Sequence, residues 1–454
     1  MTPRRRRRRA SLRVLVPAVG LLLLAACGPA TPSGSPTVAG GVSPSAAPSP
    51  GIGPVIPAPG SDSRIFGPNP GAIVVALDAG HGGCLDWGVP NPYDNTVARA
   101  EKTLTLAVAL AARELLEAEG VTVVMTRESD VALAGDLYPE HGCHGEPFRD
   151  VNGDGMAGFG PSVPDATRTR DELSARIDLV NLARADVLLS IHVNSLTENG
   201  QVLPLAGTET YWTDETPWGA HHSERLALTV QDRVVAAMAE VAGYDRQDRG
   251  IDAVNYYIIA PAGDGTDPSQ PRRGSLMPGV LAEVGSMSLD AEAALLATRP
   301  AQQAIAAALV EALVDWFAGR RFAARFDLDV PDGEAGTVPA VRPGSGPPFW
   351  PAEVSAAAAL TIRLTNTGSD PWPPDVRLMA GWAPTEDPYL ATPPVLAAVE
   401  IIVPALAPGE AVNLDVVLPQ PPAAGQSVAW ITLEIGDERL SDLGVPALQV
   451  VWMP

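Results

Sequence analysis

Residues 71–320 alternate short apolar runs with segments of helical periodicity, and this alternation restricts the fold more than any other feature. Residues 71–77 (GAIVVAL) and 186–192 (DVLLSIH) are apolar runs of strand length. Residues 102–119 and 170–184 place leucine, valine and isoleucine at helical spacing. Further strands are predicted at residues 121–125, 208–212, 255–259 and 279–284, and further helices at 223–241, 290–297 and 301–317. The order predicts an α/β domain with a largely parallel central sheet flanked by helices.

Four polar side chains stand at the ends of these elements or inside an apolar run. His81 and His192 each end a predicted strand, Glu101 opens a helix, and Glu283 lies within the last strand. Two imidazoles and a carboxylate are a common ligand set for catalytic zinc, and a buried carboxylate suits a general base. Singly, each has a structural alternative, a hydrogen-bonded histidine or an arginine-paired glutamate. Together they favour a metal site.

Four sequence blocks in order closely resemble the zinc-dependent N-acetylmuramoyl-L-alanine amidase family. They are residues 77–83 (LDAGHGG), 101–106 (EKTLTL), 190–195 (SIHVNS) and 283–285 (EVG), and the likeness runs over roughly residues 71–318. The resemblance implies that His81, Glu101 and His192 hold Zn²⁺ and that Glu283 is the catalytic acid and base. It also makes Asn194 a candidate contact to one of the metal-binding side chains or to substrate.

The chain departs from the family pattern in two places. The loop after His81 has one residue more than usual, Cys84-Leu85 before Asp86, and a segment of about 133–170 is inserted before the second helix. In an exported protein the pair Cys84 and Cys143 favours a disulfide, while Cys84 as a metal ligand is the alternative. We expect the insertion to pack near the cleft as a lid or substrate wall.

The insertion also contains half of a calcium-loop pattern. Asp150, Asn152 and Asp154 alternate with small residues, but Pro161 stands where an EF-hand requires its bidentate acid. A simpler structural Ca²⁺ loop and an ordinary turn are both consistent with this pattern.

The first residues have the composition of an export signal. A run of arginines precedes an apolar stretch of about ten residues that ends in Leu-Ala-Ala-Cys27. This ending resembles the bacterial lipoprotein signal, so residues 1–26 are predicted to be removed and Cys27 to carry lipid; an ordinary signal with a chance cysteine is the alternative. Residues 27–69 are rich in Pro, Gly and Ser and are predicted to be a tether. The protein is therefore expected to be exported and anchored to the cell membrane, facing the cell wall or periplasm.

The charge balance argues against nucleic acid as a partner. The chain has 53 acidic and 31 basic side chains, a formal charge of −22. A negative field of this size repels phosphate backbones.

The last hundred residues have a different pattern. Residues 321–348 are predicted to be a linker, and residues 349–454 an all-β sandwich of immunoglobulin type, because short β-like runs alternate with turn residues. Their tryptophans resemble those of four-tryptophan domains. We favour a structural or protein-binding module, which would receive an activator or wall-associated partner, over a glycan-binding one.

The leading functional hypothesis is an amidase that removes stem peptides from peptidoglycan during wall remodelling or daughter-cell separation. The alternatives are a non-catalytic peptidoglycan-binding lipoprotein and a zinc hydrolase that acts on another peptide amide.

Overall fold

A computed structural model gives the structure of the chain. It describes residues 66, 70–151, 157, 165–198, 201–215, 220–244, 246–260, 274–329, 353–354, 359–383, 398–420 and 427–452. The predicted signal, Cys27 and nearly all of the tether lie outside these residues, as do Asn152 and Asp154 of the candidate calcium loop. Among the described helices, none has both the length and the apolar character needed to cross a bilayer.

The α/β prediction for the first domain is confirmed. Its helices are α1 (Glu101–Ala118), α2 (Asp165–Leu182), α3 (Ala220–Ala242), α4 (Asp290–Leu296) and α5 (Arg299–Ala318). Its strands are β1 (Val74–Ala79), β2 (Thr122–Met125), β3 (Leu137–Tyr138), β4 (Cys143–His144), β5 (Val187–Asn194), β6 (Thr197–Glu198), β7 (Gln201–Val202), β8 (Gly207–Trp212), β9 (Gln247–Ala253) and β10 (Gly279–Ser286).

Six strands form the central sheet in the order β2-β1-β5-β10-β8-β9. The first four strands are parallel to one another, β8 is antiparallel to β10, and β9 is parallel to β8. The carboxyl ends of β1, β5 and β10 therefore lie at the same end of the sheet as the amino ends of β8 and β9. Loops that carry polar groups converge at this end.

Helices cover both faces of the sheet. On one face, a single core joins the sheet to α1, α3 and α5 through buried residues such as Leu104, Leu226 and Leu309. On the other face, Ile177 and Val180 of α2 pack against the sheet. Because strands buried on both faces must be apolar at every position, β1 and β5 have near-continuous apolar sequences.

The predicted strand at residues 255–259 is wrong. The strand is β9, at Gln247–Ala253, and residues 257–259 form a turn. The sheet-edge strand is largely polar and gave no apolar run, whereas Ile258 and Ile259 are apolar because they pack in the core beside α2. The apolar residues 257–259 thus indicated a buried turn and not a strand.

The C-terminal region is all-β, as predicted. Its strands are β11 (Ala324–Asp329), β12 (Glu353–Val354), β13 (Ala359–Asn366), β14 (Arg377–Trp382), β15 (Val399–Ile402), β16 (Ala411–Val417), β17 (Ser427–Ile435), β18 (Glu438–Arg439) and β19 (Leu448–Trp452). One sheet has the order β11-β13-β16 and the other β12-β19-β17-β14-β15, with β18 beside β17. Buried side chains of both sheets form one core. Trp372 and Trp430 are buried, which makes them packing residues and leaves no ring face for sugars.

The predicted linker at residues 321–348 needs a correction at its start. Strand β11 pairs antiparallel with β13 along its whole length. Ala324 and Phe326 are buried while Arg325 alternates with them, which is the period of a half-buried strand. The second sheet region thus begins only a few residues after α5.

The C-terminal region contacts the α/β domain directly. Arg184 Nη1 donates to the carbonyl of Phe326 at 3.0 Å, and Arg325 Nη1 donates to the carbonyl of Arg184 at 3.4 Å. Gly444 lies so close to the His222 ring that an added Cβ would be 2.5 Å from Cγ. His222 is buried in this contact.

Acid should weaken this contact through His222. Burial lowers the pKa of His222 from 6.5 to about 3, and the charges of His221, Arg225 and Arg320 act in the same direction. Below pH 6.5 this histidine is therefore protonated in the unfolded chain, whereas in the folded chain it stays neutral until about pH 3. Lowering the pH through this range therefore stabilises the unfolded chain relative to the folded one. We expect the thermal unfolding midpoint of the wild type to fall more steeply than that of His222→Gln as the pH is lowered from 6.5 to 4.

His144→Gln is the matched control, because His144 is an exposed histidine that does not contribute to the lowered pKa of His222. Its pH profile should follow the wild type. Equal slopes for wild type and His222→Gln would contradict the assignment.

Candidate active site

His81 follows β1 in a left-handed backbone conformation, with φ of 62°. Its Nδ1 lies 2.8 Å from Oδ1 of Asp86, and the main chain closes the loop between them, since Gly82 N donates to the carbonyl of Asp86 at 2.9 Å. A carboxylate oxygen can only accept, so Nδ1–H donates to Asp86. Nε2 faces Oε2 of Glu101 at 3.2 Å. The loop therefore fixes the orientation of the ring.

Glu101 is the first residue of α1, where the helix dipole favours an anion. It is 1% exposed, and each carboxylate oxygen accepts a main-chain N–H, from Val89 at 2.6 Å and from Val193 at 2.9 Å. Burial alone would raise its pKa, but His81 and His192 outweigh burial and hold the pKa of Glu101 well below 4.5. The carboxylate stays charged between the two imidazoles.

His192 completes this group from β5. Its Nδ1 lies 3.2 Å from Oε1 of Glu101, and its ring meets that of His81 edge to face at a centroid distance of 4.9 Å. Ligand atoms of the three side chains all lie within 4.8 Å of one another. Gly80 is required beside them, because a Cβ there would be 2.5 Å from the His192 ring.

Glu283 lies on β10 directly opposite His192 in the strand register. Its Oε2 is buried and has no hydrogen-bond partner among the described residues. Burial raises the pKa of Glu283 well above 4.5, and the negative charges of Glu101 and Glu209 add to this effect. One carboxylate of the site is thus held charged, and the other is poised to carry a proton.

Two buried arginines hold the end of β1 in place. Arg127 donates to the carbonyls of Ala79 at 2.9 Å and Gly80 at 3.1 Å. Arg176 donates to the carbonyls of Ala79 at 2.8 Å and His81 at 2.7 Å. Nothing in one sequence indicated that these arginines bind main-chain carbonyls of the histidine loop.

The remaining predicted residues are placed as follows. Asn194 is the last residue of β5, two positions beyond His192 and therefore on the same face of the sheet; its carbonyl accepts the N–H of Met287 at 2.8 Å. Cys84 and Cys143 form a disulfide, so Cys84 is not a metal ligand here. Asp150 is the only member of the candidate calcium loop among the described residues.

Comparisons with known proteins identify the family. A model of the N-acetylmuramoyl-L-alanine amidase family matches residues 75–315, just over half of the 454 residues. The chain belongs to this amidase family. It is a peptidoglycan amidase, an enzyme class that hydrolyses amide bonds of the cell wall polymer.

Individual relatives are distant. The germination-specific N-acetylmuramoyl-L-alanine amidase of Bacillus subtilis is 26% identical over 54% of this chain and 79% of its own length. The probable cell wall amidase LytH of Staphylococcus saprophyticus is 28% identical over 28% of this chain and 42% of its own length. Among solved structures, an N-acetylmuramoyl-L-alanine amidase from Clostridium difficile 630 is 24% identical, with a TM-score of 0.38 over 55% of this chain and 98% of that one.

The insertion of this amidase is attached to the loop that carries His81. The disulfide joins Cys84 of the loop to the buried Cys143 of the insertion, with a Cα–Cα distance of 5.8 Å. Oδ1 of Asp136 accepts the N–H of Cys84 at 3.1 Å, and Oδ1 of Asp130 accepts that of Gly83 at 2.9 Å. The extra loop residue is thus accommodated by contacts that the insertion and the residues before it provide.

Removing the disulfide should destabilise the domain. It closes a loop across a sequence separation of 59 residues, and a crosslink of this kind contributes roughly 2–4 kcal/mol. The double variant Cys84→Ser, Cys143→Ser should therefore unfold at a lower temperature in differential scanning calorimetry. Reductant should move the wild type to the midpoint of the variant and leave the variant unchanged. An unchanged midpoint in the double variant would contradict this role.

Proposed function

We propose that this chain is a zinc-dependent amidase that cleaves the bond between the N-acetylmuramoyl lactyl group and L-alanine in peptidoglycan. The observation that carries the proposal is a buried carboxylate oxygen, Glu283 Oε2, which has no hydrogen-bond partner in the part of the chain that the structure describes, beside three converging donors: His81, Glu101 and His192.

The donor set fits zinc. Two imidazoles and one carboxylate are a frequent protein contribution at catalytic zinc sites, which leave a position for water or substrate. Asp86 binds the distal nitrogen of His81, the arrangement that usually orients a metal-bound imidazole. Two main-chain N–H groups hold Glu101 in the same way. His81, Glu101 and His192 would therefore hold the ion.

Zinc at this position would acidify a water molecule and polarise the scissile carbonyl. Glu283 lies opposite His192 in the strand register, and its Oε2 has no competing hydrogen bond among the described residues. In our proposal this oxygen takes a proton from the attacking water and returns it to the amine of the departing L-alanine. Asn194 contacts substrate from the end of β5. Hydrolysis then yields a free lactyl carboxylate and a stem peptide with a free N-terminus.

We further propose that the enzyme is exported and held at the cell membrane by lipid on Cys27, where it acts in wall remodelling or daughter-cell separation. Relatives described as cell wall amidases support an exported location. The arginine run, the apolar stretch and Leu-Ala-Ala-Cys support the lipid anchor. The Pro/Gly/Ser-rich tether of residues 27–69 would let the domain reach the wall.

The substitution Glu283→Gln should abolish turnover and leave the metal site intact. The amide is nearly isosteric but cannot accept the proton, so we expect the release of stem peptides to fall roughly 100-fold or more. Purified peptidoglycan is incubated with the zinc-loaded protein, and released fragments are identified by mass spectrometry. Peptides that begin at L-alanine are the expected product.

Glu128→Gln is the matched control, because Glu128 is an exposed residue paired with Arg113 at the surface. It should retain wild-type activity. If the wild type binds zinc and wall but releases no peptide, the non-catalytic hypothesis replaces this one. Release of another fragment would indicate a different amide substrate.

A further inference from the structure

A row of polar side chains continues from the proposed catalytic centre toward the far edge of the sheet. Glu283 pairs in register with His192 on one side and with Glu209 on the other. Beyond Glu209, strand β9 has a bulge, since the register shifts so that Arg249 and Gly250 together oppose Glu209. Neighbouring strands are about 4.8 Å apart, so Arg249 lies roughly 10 Å from Glu283 along this row.

The bulge directs Arg249 toward the end of the sheet at which the proposed catalytic residues lie. Gly250 has φ of 80°, and its N–H donates to Asp248, whose carboxylate is also bound by Gln231 at 2.7 Å. A Cβ at Gly207 would be 3.2 Å from Cγ of Arg249, so the arginine side chain passes beside the first residue of β8. The amino end of β8 and the carboxyl end of β10 lie at this same end of the sheet. Bulges commonly re-aim a side chain beside an active site.

Only one nitrogen of the Arg249 guanidinium forms a hydrogen bond to a described residue. Its Nε lies 3.1 Å from Oε2 of Glu209, whereas its two terminal nitrogens make no hydrogen bond to any residue that the structure describes. The side chain is 24% exposed. A guanidinium fixed through one edge presents its remaining donors as a planar fork that matches a carboxylate.

The direction of the row matches the course of the leaving peptide. In the proposed reaction Glu283 gives its proton to the amine of L-alanine, so the stem peptide continues from the Glu283 side. A peptide extends at most about 3.3–3.6 Å per residue, which places its second and third residues roughly 7–10 Å from the cleaved bond. Arg249 lies at a similar distance from Glu283, roughly 10 Å along the row.

We propose that Arg249 is a specificity residue that binds a free carboxylate on the second or third residue of the stem peptide. The inference rests on the proposed amidase reaction and extends it to the substrate. Glu209 is a positioning residue in this arrangement, because it holds the guanidinium at the edge of the cleft.

The test uses the full zinc-loaded chain and soluble N-acetylmuramoyl peptides that differ only in amidation of the second or of the third residue. A charge-assisted hydrogen bond lost on amidation should lower kcat/KM of the wild type roughly 10- to 100-fold for one of the two positions. Arg249→Gln should hydrolyse the acid and amide forms at similar rates, and Arg249→Lys should retain part of the preference.

Arg233→Gln is the matched control, because Arg233 also forms ion pairs, with Glu311 and Asp315, but these are between exposed side chains of α3 and α5. It should keep the wild-type preference. The inference is overturned if the wild type does not distinguish acid from amide at either position, a comparison that needs no variant. It is also overturned if Arg249→Gln slows both forms equally and keeps their ratio. If the wild type cleaves none of these substrates, the amidase proposal itself fails.

Discussion

A carboxylate buried between two imidazoles is the interaction on which the catalytic edge of this protein depends. Glu101 carries its charge at the start of α1, where two main-chain N–H groups and the helix dipole offset the cost of burial. His81 follows β1 and His192 lies on β5, and both rings are oriented toward this group. The parallel order of β1, β5 and β10 brings the three residues and Glu283 to one place.

Much of the surrounding sequence serves to keep this group in position. Arg127 and Arg176 bind main-chain carbonyls at the end of β1, and Asp86 binds the far side of the His81 ring. The disulfide adds a covalent connection from the same loop to the insertion. The insertion of this amidase is therefore part of the support of the histidine loop. The expectation from sequence that it forms a lid or substrate wall stays a prediction.

The sequence predicted the elements whose signals are local. Apolar runs located β1, β5 and β10, and polar residues at their ends indicated the candidate site. Two errors arose where burial depends on distant segments: the apolar residues 257–259 form a packed turn, and β11 alternates within a stretch whose composition indicated a linker. The burial of His222 depends on Gly444, more than two hundred residues away, and no local pattern indicated it. The position of Arg249 depends on a bulge and on the pairing of β8 with β9, which periodicity does not report.

We propose that His81, Glu101 and His192 together hold zinc. X-ray diffraction from crystals of the zinc-loaded protein, with data collected above and below the zinc absorption edge, would locate the ion. We expect one anomalous peak between these three side chains, within about 2.0–2.2 Å of one donor atom from each. A peak elsewhere, or none at this site in crystals grown with zinc, would contradict this assignment.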